Sequence, residues 1–209
     1  MASIPSLPDI QSHGKSSPDS PLAETLSILF EHSPILLSKL EPQLHLRFTS
    51  EASSTAHIHL ESYTQLVDIS LQEIFKWDIP SQSEIISGHP RIGENSNLSK
   101  LSAAEQGALG LKPTPPEVLA RLAHLNALYE ARYPGLRYIT FVNGRSRPVI
   151  AEEMEDVLGI EHSLEPDQPT VGTIKPIDQE SEEWRRELKR AVGDVGKIAK
   201  SRLGALGVA

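Results

Sequence analysis

The sequence predicts an all-α protein, a single-domain bundle of antiparallel helices, and three observations carry that prediction. Apolar residues recur at three- and four-residue spacing along most of the chain. Prolines number 16 in 209 residues, against a usual share of roughly 5%, and several of them mark where those runs begin or stop. The one good strand candidate, Tyr138-Ile139-Thr140-Phe141-Val142 before Asn143-Gly144, is too short to make a sheet alone.

Residues 1–21 hold Pro5, Pro8, Pro18 and Pro21 and are rich in serine, with no apolar period. They read as a disordered leader. Ser20-Pro21 then opens a helix, as an N-cap followed by proline in the first turn, and Leu22, Leu26, Leu29 and Phe30 form its stripe. A second run after Ser33-Pro34 carries Leu36, Leu37, Leu40 and Leu44. Residues 48–60, rich in Ser, Thr and His, read as a loop insertion. From Glu61 the stripe is Leu66, Ile69 and Ile74, with Phe75 and Trp77 closing it. A short helix is expected to end at Gly88. Thr114-Pro115 opens the next, with Val118, Leu119, Leu122, Leu125, Asn126 and Tyr129, and Pro134-Gly135 stops it. Arg147–Leu158 ends at Gly159, a suitable residue just past a helix. Residues 161–179 hold three prolines and form a second insertion, a loop long enough to be functional or mobile. The last helix, from about Asp178 to Leu206, has the clearest stripe: Trp184, Leu188, Ala191/Val192, Val195 and Ile198/Ala199. The helical domain is thus expected over 22–206.

Composition removes whole classes of function. The chain has no cysteine, which excludes disulfides, thiolate metal sites and a cysteine nucleophile. Its net charge is −8, and it has no long basic run, so neither nucleic acid nor an anionic membrane is an expected partner. No apolar run approaches a membrane span, no secretory signal is visible, and the terminal Gly207-Val208-Ala209 is not a peroxisomal address. A cytoplasmic protein is expected. No phosphate-binding loop, dinucleotide fingerprint, zinc helix or nucleophile elbow is present.

Of the eight histidines, three invite comment. His57-x-His59 lies in the polar insertion without an acidic third ligand at helical spacing, and reads more readily as a solvated loop than as a metal site. His124 sits beside Leu122 and Leu125 and reads as helix surface or core edge. His89 stands in Gly88-His89-Pro90-Arg91-Ile92-Gly93-Glu94, where Pro90 restricts its backbone to extended values and Gly93 permits a second turn. A stiff, non-helical corner suits an acid–base imidazole, and suits a helix-capping histidine equally. Glu105, in Ser102-Ala103-Ala104-Glu105-Gln106, completes a capping-box spacing, or else is the carboxylate that raises the pKa of His89. Arg202 continues the apolar stripe Leu188, Val195, where a guanidinium must be paired, bind an anion or reach out to water.

These pieces, in this order, resemble one family. Gly88-His89-Pro90-Arg91-Ile92-Gly93, then Ser102–Leu109, then Leu125-Asn126-Ala127-Leu128-Tyr129 with Arg132-Tyr133, then Ile198–Leu203 look like the 2-oxo-4-hydroxy-4-carboxy-5-ureidoimidazoline (OHCU) decarboxylases. The resemblance implies an all-α fold, commonly a homodimer, no cofactor, and a small anionic ureidoimidazoline as substrate. It implies His89 as the acid–base residue, Glu105 as its partner and Arg202 as the anion clamp. Pro90, Ser102, Ala103, Ala104, Gln106 and the segment Tyr138, Ile139, Thr140, Phe141 and Val142 would line the pocket. The chain departs from the family pattern over 133–145, where Tyr133-Pro134-Gly135-Leu136-Arg137 replaces an aromatic-rich run. That departure keeps two alternatives open: a non-enzymatic helical binding protein on the same scaffold, and a decarboxylase of a related ureido or hydantoin acid. Residues 181–202 carry seven basic against four acidic side chains, a local surplus around Arg202 that favours an anionic substrate.

Overall fold

The computed structural model describes residues 4–12, 14–49, 58–94, 98–105, 114–163 and 165–208. Among them all regular structure is helical and no strand occurs. The helices are α1 (Leu7–Ser12), α2 (Pro21–Phe30), α3 (Glu41–Thr49, entered through a π-helical turn at Leu36–Leu40), α4 (Tyr63–Ile74), α5 (Ile79–Ser87), α6 (Lys100–Glu105), α7 (Pro116–Arg132), α8 (Arg147–Leu158) and α9 (Glu182–Leu206). The expected single domain divides into two compact units, 1–89 with 192–209, and 90–191. Helix α9 contributes to both.

In the first unit the stripes read from the sequence are buried: Leu22, Leu26, Leu29, Leu36, Leu40, Leu44, Leu66, Ile74, Val192, Val195 and Ala199. Ser20 caps α2 as expected, its hydroxyl accepting from the Ala23 amide at 3.0 Å. The segment 1–21 differs from its disordered reading. Helix α1 buries Ile10. Gln11 exchanges hydrogen bonds with the Leu60 main chain at 2.8 and 3.2 Å, and Tyr63 donates to the Pro5 carbonyl at 2.8 Å. The buried carboxylate of Glu41 accepts from the hydroxyls of Ser16 and Ser20. Those serines look like disorder in composition and serve as partners for a carboxylate that burial would otherwise penalise. The polar run at 48–60 also starts as structure, since Phe48 is buried in α3. Residues 50–57, with His57, lie outside the described residues, and His59 is exposed.

In the second unit α7 packs along α8. Its core holds Val118, Leu122, Leu125, Leu128, Tyr129, Ile150, Met154, Leu158, Trp184 and Leu188. Gly159 ends α8 in the left-handed region, φ 67° and ψ 35°, as its place in the sequence predicts. The 161–179 segment is fastened rather than loose. Arg121 and Glu155, both almost fully buried, pair at 2.7 Å. Arg121 also donates to the carbonyls of Glu165 (2.9 Å) and Gln168. His124 meets the Pro169 carbonyl at 2.8 Å. The Ile177 amide donates to the Arg132 carbonyl at 2.7 Å.

Candidate functional site

The first unit places His89 at the end of α5. Asp78 caps that helix by accepting from the Ser81 amide at 2.8 Å, and these Ser81 bonds hold its carboxyl below the usual range. Gly88 closes the helix with right-handed dihedrals, so glycine is not there for a turn. A Cβ on Gly88 would come within 2.9 Å of the Ser33 Cβ; glycine allows that close approach. The next residue, His89, is 3% exposed, and its amide donates to the Ile86 carbonyl at 3.1 Å. Ser33 is itself buried, and its hydroxyl has no hydrogen-bond partner among the described residues.

Arg202 lies in the same unit, 1% exposed. Its Nη1 donates to the carbonyls of Ile28 (3.0 Å) and Leu29 (3.3 Å), and its Nη2 pairs with Glu31 at 2.6 Å. The guanidinium therefore closes the C-terminal end of α2, where carbonyls lack helical partners and a cation is favoured. Glu31 follows that helix with φ 64° and ψ 147°, a region other than glycine rarely visits. No sequence signal marks such a residue.

The second unit holds Pro90, the Ser102–Glu105 stretch and Tyr138–Val142. Gly93 has φ 88°, as the expected turn requires. Asn126 donates from Nδ2 to the carbonyls of Ile92 (2.9 Å) and Leu122 (2.7 Å), tying this turn to α7. Arg91 grips Glu130 with two bonds, 2.7 and 3.0 Å, which raises its pKa. Burial, then Arg91, lowers that of Arg137. A cavity of about 340 Å³ lies here, lined among others by Arg91, Glu94, Leu119, Asn126 and Glu130. The capping-box reading of Ser102 is displaced by three residues. Ser102 lies inside α6 and is buried, and the Ser99 hydroxyl accepts from its amide at 3.1 Å. Glu105 is the last residue of α6, Ala103 is half-buried and Ala104 exposed. Gln106 lies outside the described residues.

The Tyr138–Val142 segment is extended but pairs with no strand among the described residues. Two arginines organise it. Arg190 donates from Nη1 to the Ile139 carbonyl at 2.9 Å and stacks over Tyr138 at 5.4 Å. Its other nitrogens hold Glu187 at 2.6 and 2.8 Å, and Glu187 accepts from the Tyr129 hydroxyl at 2.6 Å. Arg145 donates to the carbonyls of Val142 (2.9 Å) and Phe141, to the Thr140 hydroxyl at 3.2 Å, and to Glu153. Burial pushes the Tyr138 phenol up to about 12. Burial and Glu187 push Tyr129 up as well. Sequence reading missed Glu187, although a signal existed. It shares the face of Trp184, Leu188 and Ala191, where a carboxylate is as anomalous as Arg202.

Among the described residues no group of three or more His, Asp or Glu is arranged to hold a metal ion. No described helix is long and apolar enough to cross a membrane.

Comparison with known proteins adds three findings. A family model described as OHCU decarboxylase matches residues 15–168, which ends before α9 and Arg202. Over 82 residues the chain is 33% identical to the 2-oxo-4-hydroxy-4-carboxy-5-ureidoimidazoline decarboxylase of Halalkalicoccus jeotgali, in a match covering 39% of this chain and 45% of that protein. Its fold is similar to the crystal structure of (S)-allantoin synthase, with TM-score 0.51 at 18% identity, over 96% of this chain and 53% of that one. The matches thus span about half the length of these relatives.

Proposed function

The chain belongs to the OHCU decarboxylase family, and from that premise we propose that it decarboxylates 2-oxo-4-hydroxy-4-carboxy-5-ureidoimidazoline to (S)-allantoin without a cofactor. The observation that carries the reading is His89, which the family resemblance assigns to acid–base work. It is buried on a non-helical corner whose position Gly88 and Ser33 fix by close packing.

The chemistry asks little of the protein. The carboxylate leaves as carbon dioxide, and the electron pair left on carbon passes into the adjoining ring C=N, so the substrate is its own electron sink. The protein must hold the carboxylate out of the ring plane and deliver a proton to one face. In this reading His89 moves the proton, Glu105 takes the role of carboxylate partner that the family resemblance gives it, and Arg202 receives the anion. The bonds made by Arg202 add one requirement. A substrate carboxylate binds it by taking the place of Glu31 on Nη2, while the α2 carbonyls keep Nη1 in position. A homodimer acting on a small anion belongs to the same proposal.

The test is circular dichroism of the product during coupled turnover from urate. The wild-type chain should yield (S)-allantoin. His89→Ala should give only the slow racemic background while its far-ultraviolet spectrum stays helical. Equal stereoselectivity in the two proteins would overturn the reading.

A further inference from the structure

Two unfavourable features stand side by side in Glu31-His32-Ser33, the connection that follows α2. Glu31 holds φ 64° and ψ 147°, a region that only glycine enters readily. Ser33 is 3% exposed, and its hydroxyl has no hydrogen-bond partner among the described residues. Taking a hydroxyl out of water without giving it a partner is unfavourable. Buried polar groups are nearly always satisfied, so an orphan calls for an explanation. Backbone strain likewise collects where a site is held ready for a ligand.

The position of Ser33 supplies the explanation. On one side it meets Gly88, the residue before His89: a Cβ there would fall 2.9 Å from the Ser33 Cβ and 3.4 Å from its Oγ. On the other side it follows Glu31 by two residues, so their Cα atoms lie within about 7 Å of each other. Glu31 in turn holds Nη2 of Arg202 at 2.6 Å. Glu31, Ser33, Gly88, His89 and Arg202 all belong to the first unit. Pro34 and Pro90 disfavour helical backbone at Ser33 and His89 alike, which stiffens both.

We propose that the Ser33 hydroxyl is a further substrate-binding group, which donates to an oxygen of the carboxylate that displaces Glu31 from Arg202. The proposal rests on the reading above that Arg202 receives the substrate anion, and it adds a residue that the family resemblance does not assign. The Glu31 side chain is 12% exposed against 1% for Arg202. The entering anion therefore meets Glu31 first, and the withdrawal of Glu31 opens the way to Ser33. A carboxylate has two oxygens. One takes Nη2 and the other accepts from Ser33, so a ligand with an amide nitrogen in the second place is disfavoured. The bonded group is the one that leaves as carbon dioxide. Its bond to Ser33 is made in the ground state and weakens as charge passes into the ring, so its loss falls on KM rather than kcat.

Ser33→Ala tells a ligand contact from a structural hydroxyl, because the two move stability differently. Removing an orphan hydroxyl should leave the urea midpoint of the protein at or above that of the wild type. In urate-coupled turnover the same variant should raise KM about tenfold or more, the scale of a lost hydrogen bond to a charged group, with kcat within about twofold. Ser33→Cys keeps a weaker donor and should fall between the two. A clearly lowered midpoint would show that the hydroxyl serves the fold, and an unchanged KM would show that it does not touch substrate; either overturns the proposal. Thermal unfolding with ureidoacetate, a ureido carboxylate, and with ureidoacetamide, its uncharged amide, gives a readout independent of turnover. Ureidoacetate should raise the Tm of the wild type more than that of Ser33→Ala, and the amide should raise neither. If that difference holds while urate-coupled turnover is absent, the decarboxylase reading fails and the carboxylate contact stands. If ureidoacetate stabilises both proteins equally, or neither, the Ser33 proposal fails whatever the kinetics show.

Discussion

Arg190 and Arg202 lie twelve residues apart on α9, and each closes on main-chain carbonyls with an acidic partner beside it. They differ in what surrounds them. Arg202 is 1% exposed and holds the carbonyls at the end of a helix, with Glu31 in a strained conformation as its counter-ion. The Arg190 side chain is 31% exposed and holds an extended segment, with Glu187 and two tyrosines around it. The first arrangement is the more deeply buried, so losing one member leaves charges and carbonyls that are poorly compensated. The second borders solvent, so its members are replaceable at lower cost. Burial, more than bond count, sets the energy of such a cluster.

The largest test of that difference is Arg202→Met. Breaking a buried pair costs about 3–5 kcal/mol, because the partner is left uncompensated. Urea unfolding should show a midpoint lowered to match, with Arg202→Lys intermediate. A midpoint within experimental error of the wild type would end the distinction drawn between the two clusters.

Alkaline pH probes the Arg190 side. Tyr138 has a folded pKa pushed up to about 12, against about 10 for an unfolded tyrosine. The neutral form is the one the fold favours. Its contribution is therefore full below pH 10 and is lost as pH rises from about 10 to about 12. Two pKa units set an upper limit of roughly 3 kcal/mol. Stability measured by urea at pH 9 and pH 11.5 should fall, and Tyr138→Phe should flatten the fall, leaving the part due to Tyr129. Absorbance at 295 nm offers the contrary result: Tyr129 or Tyr138 ionising near pH 10 in the folded protein would show that neither is sealed by this network.

Tyr129→Phe should cost less, about 2 kcal/mol, the scale of one hydrogen bond to a charged group. Glu187 keeps both Arg190 bonds, so the segment at 139 stays in place. Thermal unfolding should register the loss, while the amide signals of 139–142 stay near their wild-type positions. Wholesale movement of those signals would show that the Tyr129 hydroxyl, and not only Arg190, holds the segment in place.

The two clusters were unequally legible in the sequence. Arg202 stood out because it breaks an apolar stripe, and the helix stripes themselves located most of the core. Arg190 is one of four basic residues within 185–190 and carries no mark of its own. Glu31 takes its role from a backbone conformation that composition does not encode. Helix α1 was hidden for another reason. It is bonded to Leu60, and the residues on either side of it to Tyr63 and Glu41, partners remote in sequence, while this stretch itself has the composition of a linker. The Arg121–Glu155 pair was equally invisible, because a charge in a helix reads as solvated until its neighbour is known. Local rules found the helices. What fastens their ends depends on contacts far apart in the chain.

The smallest effect lies on α9 between the two arginines. A glycine in a helix interior costs about 0.5–1 kcal/mol relative to alanine, through the entropy of the unfolded chain. At Gly193 a Cβ would meet no heavy atom within 4 Å, whereas at Gly196 it would fall 2.3 Å from the Leu71 Cδ1. Gly193→Ala should therefore return the whole helix-propensity gain as a higher melting temperature. Gly196→Ala should return less, because Leu71 must swing aside. Leu71 is only half-buried, so it is free enough to move and the variant should still fold. Equal gains at the two positions would mean that Leu71 yields at no cost, and that the close packing at Gly196 contributes nothing to holding this part of α9.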